Sequence, residues 1–214
     1  LTDAWSAEAL IPPADDPLQS FWTFVTDFGD SAVTLPLAGL AMVFLLISGW
    51  RRAAGALLLG VAAAGIGIGL LKLALESCSR PLIGASIVNP SGHMAVSVAV
   101  YGALALVLAR RLPGRRALWI WSATAALLAA IAVSRLVLHA HTAAEVAAGT
   151  LVGLMAGLLF RKLLGQESRP ILHFGWFALA AAAVVFAMHG TRWPIEHLVK
   201  AIVLLIRRGI PACQ

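Results

Sequence analysis

The stretch AAGALLLGVAAAGIGIGLLKLAL, residues 53–75, carries a single charge, Lys72, close to its end. A helix that crosses a bilayer needs ~20 consecutive, mostly apolar residues, and this run supplies them. Five more runs of the same kind occur at Ser31–Gly49, His93–Ala109, Leu118–Ser134, Ala143–Phe160 and Ile171–His189. They are rich in Ala, Leu, Val and Gly, as in helices that pack closely in lipid. The whole chain is 60% hydrophobic and only 12% charged, with a mean hydropathy of +0.89, which excludes a soluble domain. The expected fold is all-α: a polytopic membrane protein with a six-helix transmembrane bundle over residues 31–190.

Two flanking segments read as interfacial. Residues 1–30 form an N-terminal piece in which Pro17–Asp30 sets Phe21, Trp22, Phe24 and Phe28 among polar residues, as in a helix lying on a membrane surface. Residues 191–214 form the C-terminal piece, where Pro194–Arg208 mixes Glu196 and Lys200 with Ile, Leu and Val. That segment is too charged for a span and reads as a second interfacial helix. No cleavable signal peptide is recognisable, and a chain beginning at Leu1 is expected to have lost an upstream piece.

Arg51-Arg52, Arg110-Arg111 with Arg115-Arg116, and Arg161-Lys162 with Arg169 fall in alternate loops, which the positive-inside rule assigns to the cytoplasm. The N-terminal segment holds Asp3, Glu8, Asp15, Asp16, Asp27 and Asp30 and is expected outside. The net charge of +6 is therefore a matter of topology, and no nucleic-acid partner is expected. This orientation puts Lys72, Arg80, His93, Arg135, His141 and Glu145 at the outer ends of spans two to five, so chemistry is expected on the extracytoplasmic face.

Pro90-Ser91-Gly92-His93 stands where a polar loop turns into an apolar helix. A helix start has open N–H groups and the positive end of the helix dipole, both of which attract anions. Ser91 also reads simply as an N-cap and Gly92 as a turn residue. Lys72 and Arg80 read as interfacial anchors when taken alone. With Arg135 they make three cations, two of them able to grip phosphate oxygens bidentately.

The segment Ser134-Arg135-Leu-Val-Leu-His139-Ala-His141-Thr142-Ala-Ala-Glu145 adds a possible nucleophile. Thr142-x-x-Glu145 is a capping box for the next helix, and Glu145 also lies four residues after His141. A carboxylate there would hold the imidazole in the tautomer that leaves its other nitrogen free to attack. His139 reads as a wall or structural residue. His141, Glu145, Gly149, Gly153 and Gly157 recur at every fourth position, so they share a stripe that another helix can approach closely. Gly65-Ile-Gly67-Ile-Gly69 lies mid-span, away from any helix start, and reads as packing rather than as a phosphate loop. His93, His141 and Glu145 could ligate zinc by type, but three neighbouring cations oppose a dication and suit a phosphate dianion. No metal and no cofactor are expected.

In this order, Lys72…Arg80-Pro81, Pro90-Ser91-Gly92-His93 and Ser134-Arg135…His141…Glu145 resemble the three motifs of the type 2 phosphatidic acid phosphatase family of membrane lipid phosphatases. The likeness covers residues 20–165. Two departures stand out: seven residues separate Lys72 from Arg80 where the family usually has six, and Glu145 stands where it usually has aspartate. The resemblance implies a metal-independent mechanism. In it Lys72, Arg80 and Arg135, with Ser91 and the Gly92 N–H, hold the phosphate. It implies that His141 attacks phosphorus and is oriented by Glu145, and that His93 protonates the leaving group and then activates water.

Three functions are compatible with these residues. The first is a phosphatase acting on a membrane phospholipid or polyprenyl (pyro)phosphate at the outer face of a bacterial inner membrane. The second is a lipid-to-lipid phosphotransferase of the same family. The third is a membrane protein that only binds or transports lipids. Cys78, between Lys72 and Arg80, and Cys213 in the tail are both expected in an oxidising compartment, where they either bridge or remain thiols.

Overall fold

The computed structural model describes residues 17–77, 89–110, 112, 114–165 and 174–193. Arg80-Pro81, both cysteines, Arg111, Arg169 and the expected Pro194–Arg208 helix lie outside the described residues. The described chain forms seven helices and no strand: α1 (Pro17–Asp27), α2 (Ser31–Ile47), α3 (Arg51–Ser77), α4 (Gly92–Ala109), α5 (Arg115–Val137), α6 (Ala143–Leu164) and α7 (Phe174–Met188). It is a polytopic all-α membrane protein, as its composition requires.

Local signals set several of these boundaries. Asp30 caps α2 through Ala32 N–H at 2.8 Å, Ser91 caps α4, and Thr142 with Glu145 completes a capping box on α6. The chain leaves α5 through His139, whose φ of 50° is left-handed, while the N–H groups of Ala140 and His141 donate back to the Arg135 carbonyl. His139 is exposed and stands off the cavity described below, so its role is that of a chain reversal.

Five apolar stretches are long enough to cross a bilayer, counting α1 and α2 together as Pro17–Ile47. Where Ile171–His189 is expected to span, α7 covers 15 residues, or ~22 Å at 1.5 Å per residue. Among the described residues, five or six apolar helices are therefore candidate spans. Their outer surface exposes Leu58, Ile66, Leu70, Leu118, Trp119, Leu151, Met155, Leu179 and Phe186, the apolar surface a bilayer would cover.

Helix α4 is central and packs on α2, α3, α5 and α6, while α1 packs on α5 and α7 on α2. Toward the arginine-bearing end the core is built from Leu45, Trp50, Leu57, Ala103, Phe160, Leu164 and Phe177. There Arg52 Nε donates to the Leu163 carbonyl at 2.9 Å and an Arg110 terminal nitrogen to the Gly165 carbonyl at 2.6 Å. The basic ends of α3, α4 and α6 thus gather at one end of the bundle. The polar residues of the candidate site gather at the other.

Candidate active site

A cavity of about 680 Å³ opens among α1, α2, α3, α4 and the α5–α6 turn. Lys72, Gly92, His93, Arg135 and His141 all line it, although they come from three separate stretches of sequence. Its apolar side is formed by Leu35, Val61, Ile68 and Val96, with Gly65 and Gly69. From Lys72 to Val61 the lining descends eleven residues of α3, ~16 Å along the helix. One cavity therefore joins a cationic mouth to an apolar shaft.

The helix start at Pro90–His93 opens on this cavity through Gly92 and His93. Ser91 is fully buried and caps α4, its Oγ accepting from Met94 N–H at 3.5 Å. A Cβ at Gly92 would meet nothing within 4 Å, so the space before the first turn is open. Arg135, one turn from the end of α5, donates to Thr26 Oγ1 at 3.1 Å, which anchors its guanidinium against α1. Lys72 is 7% exposed, and burial of an ammonium calls for anionic or polar company.

His141 and Glu145 are both buried and meet as their spacing predicts, with Nδ1 3.3 Å from Oε2. A carboxylate can only accept, so Nδ1 carries the proton and Nε2 keeps the lone pair. Burial, followed by the positive charge of Arg135 and of Lys72, pushes the His141 imidazole below the usual histidine range; Glu145 opposes that shift. Glu145 does more than orient the histidine. Its Oε2 also accepts from Thr142 N–H at 3.0 Å, and its Oε1 from Asn89 N–H at 2.7 Å. Its backbone carbonyl accepts from Ser91 N–H at 3.0 Å. One glutamate thus binds the Pro90–His93 segment to the His141 turn.

The glycine stripe explains how α6 comes so close. A Cβ at Gly149 would collide with the Ser91 carbonyl, and one at Gly153 would lie 2.6 Å from the Ala95 carbonyl oxygen. At Gly157 nothing lies within 4 Å, so the close approach ends one turn earlier than the spacing predicts. The Gly65–Gly69 expectation also needs correcting. Of the three, only Gly67 faces a neighbouring helix, where an added Cβ would lie 3.3 Å from Val152 Cγ1, whereas Gly65 and Gly69 have open space beside them and line the cavity.

The model of the PAP2 superfamily matches residues 53–169. The chain belongs to the PAP2 superfamily. It is also 30% identical over 190 residues to a Klebsiella pneumoniae protein described as "Uncharacterized 22.5 kDa protein in cps region", covering 85% of this chain and 89% of that one. No solved structure matches. Membership in the PAP2 superfamily supports a phosphatase-type enzyme, with a membrane lipid as a fitting substrate.

Several residues at this PAP2 site were not expected from the sequence. Asn89, just before Pro90, holds Glu145 Oε1 through its backbone N–H. Asp27 and Asp30 read only as outer-side acids. Both are buried, both line the cavity, and Asp27 meets Arg192 at 3.5 Å while Asp30 meets His93 at 3.4 Å. The expected surface helix α1 is thus also a wall of the site, with Thr26 and Asp27 buried and Phe21 and Phe24 facing out. A usable signal is the i, i+4, i+8 spacing of His93, Ser97 and Tyr101 along an otherwise apolar face of α4. Ser97 Oγ donates to the Gly29 carbonyl at 3.5 Å and Tyr101 Oη to the Phe28 carbonyl at 2.7 Å.

Proposed function

We propose that the protein removes a phosphomonoester or pyrophosphate from a membrane lipid at the outer face of a bacterial inner membrane, through a phosphohistidine intermediate. Undecaprenyl pyrophosphate, phosphatidylglycerol phosphate, phosphatidic acid and lipid A phosphates are the candidate substrates. The observation that carries this reading is the single cavity in which Lys72, Arg135, His93 and His141 face an apolar shaft along α3. A phosphate with a hydrocarbon tail matches both ends of it. The clustering of Arg52 and Arg110 with the α6 terminus at the opposite end supports the outward orientation.

Phosphoryl transfer needs positioning and charge neutralisation more than covalent help. Lys72, Arg135, the open start of α4 and, by the resemblance, Arg80 hold the equatorial oxygens. His141 Nε2 attacks phosphorus in line; the P–O bond to the lipid breaks, and its electron pair leaves on the lipid oxygen. His93 gives that oxygen a proton. Water then attacks the phosphohistidine and loses its proton to His93, and the N–P electron pair returns to Nε2. Protein cations do the neutralising, so the reaction is expected to proceed without a metal.

Phosphate release by the purified protein from a panel of these lipids tests the reading. Release by wild type, its loss in His141→Ala and an acid-labile phosphoenzyme support it. No release by wild type and no transfer of label to an acceptor lipid would overturn it. Activity abolished by chelator would overturn the metal-free version alone.

A further inference from the structure

We propose that Asp30 is the positioning residue for His93: it holds the imidazole by Nε2 and presents Nδ1 to the leaving oxygen. The proposal rests on the phosphatase reading and adds a residue outside the 53–169 region matched to the family. Asp30 Oδ2 lies 3.4 Å from His93 Nε2, and both residues line the cavity that holds His141. A carboxylate accepts only, so the contact fixes the proton on Nε2 and leaves Nδ1 for the substrate.

Helix capping alone does not account for this aspartate. The Ala32 N–H is served by Oδ1 at 2.8 Å, a task serine performs equally well. The second oxygen is the one that meets His93. Burying a charged carboxylate is unfavourable unless it is paired, and Asp30 is only 7% exposed. The turn that carries it is also pinned to the helix that carries His93. Along one face of α4, His93, Ser97 and Tyr101 bind Asp30, Gly29 and Phe28 in turn, each four residues further on. The register between Asp30 and His93 is therefore set by three contacts. Glu145 offers a parallel: a first-turn carboxylate completes a cap and with the same group holds His141.

In the first step His93, with protons on both nitrogens, passes the Nδ1 proton to the lipid oxygen as the P–O bond breaks. The neutral ring then keeps its Nε2 proton, directed at Asp30. In the second step Nδ1 takes the proton from the attacking water, restoring the starting state. Asp30 stays ionised throughout.

The test compares phosphatidic acid, whose alkoxide leaving group needs a proton, with p-nitrophenyl phosphate, whose phenolate does not. Asp30→Asn and Asp30→Ser both keep an oxygen for the Ala32 N–H. Each is expected to lower kcat/KM on phosphatidic acid about tenfold or more, with much smaller losses in kcat/KM on p-nitrophenyl phosphate, because that ratio ends at departure of the leaving group and excludes the hydrolysis step common to both compounds. Placed on a His93→Ala background, Asp30→Asn should cost nothing further on phosphatidic acid. Equal losses in kcat/KM on the two compounds, or a full loss repeated without His93, would mean a structural role and overturn the proposal. So would an Asp30→Asn protein with wild-type rates on phosphatidic acid. If wild type prefers another lipid of the panel, that lipid replaces phosphatidic acid in the comparison; a wild-type protein that releases phosphate from none of them and passes label to no acceptor lipid would overturn the phosphatase reading itself, and the role of Asp30 with it.

Discussion

Gly149 of α6 lies directly against the backbone carbonyl of Ser91, the cap of α4. No side chain fits between them, and one turn earlier Ser91 N–H donates to the Glu145 carbonyl. The start of α4 and the helix that follows His141 are therefore spaced by the absence of a Cβ at Gly149. Gly149→Ala must push a backbone segment rather than a flexible side chain, at about 1–3 kcal/mol. Because 1 Å of displacement at a reacting centre costs ~10²-fold, turnover should fall by at least tenfold. Gly157→Ala, with nothing within 4 Å, should stay within about 0.5 kcal/mol of wild type. Thermal unfolding and phosphate release measured on both variants check this.

Glu145 accepts from Thr142 N–H and Asn89 N–H while holding His141 Nδ1. Glu145→Gln turns one acceptor oxygen into a donor, which faces either a backbone N–H or the imidazole. Turnover should fall on the order of 10²- to 10⁴-fold, the range for an orienting carboxylate lost from a catalytic histidine. Glu145→Asp keeps the charge but shortens the reach. It should retain more activity than the glutamine variant while loosening the 2.7 Å bond to Asn89. Steady-state rates of the two variants, with unfolding temperatures as the control, separate orientation from folding.

What could be read in the chain follows from how far each interaction reaches. The spans are carried by runs of like residues, and the Thr142–Glu145 box and the His141–Glu145 pair by three- and four-residue spacings. The Gly149 and Gly153 approach follows from a helical repeat, which cannot reveal that α4 has diverged by Gly157. The Asp30 contact was not legible in this way. It joins a turn to a helix more than sixty residues away, and two of its three supports end on backbone carbonyls, which have no side-chain signature. Gly65 and Gly69 were misread for a related reason. A glycine that admits a helix and a glycine that leaves a cavity open are identical in sequence.

In the proposed mechanism His141 must be neutral to attack, and burial with the charges of Arg135 and Lys72 holds its proton affinity below the ordinary value of 6.5. A depressed value leaves the nucleophile available above that value and removes it as pH falls through it. The acid limb of kcat/KM should therefore lie below pH 6.5. Arg135→Gln removes the cation with the larger effect on His141, so the His141 titration should move to higher pH. An NMR titration of the His141 ring, alongside the pH profile, reads the shift directly. An unmoved titration would mean that Arg135 takes no part in setting it.

Gly29, between α1 and α2, is the tightest seat of the turn that carries Asp30. A Cβ there would stand 2.8 Å from Ile131 Cγ2 and 3.2 Å from Ser97 Oγ. Ile131 is fully buried among Met94, Val98 and Val146, so it has little room to yield. Gly29→Ala should therefore lift the turn, lengthen the Ser97 and Tyr101 bonds and draw Asp30 away from His93. The expected cost is about 1–3 kcal/mol of stability, with a fall in kcat on phosphatidic acid of about tenfold. Gly39→Ala in α2, where a Cβ meets nothing, controls for the loss of glycine itself. Equal rates for the two variants would show that the turn can shift without disturbing His93, whereas a deficit confined to Gly29→Ala would tie turnover to the seating of that turn on α4.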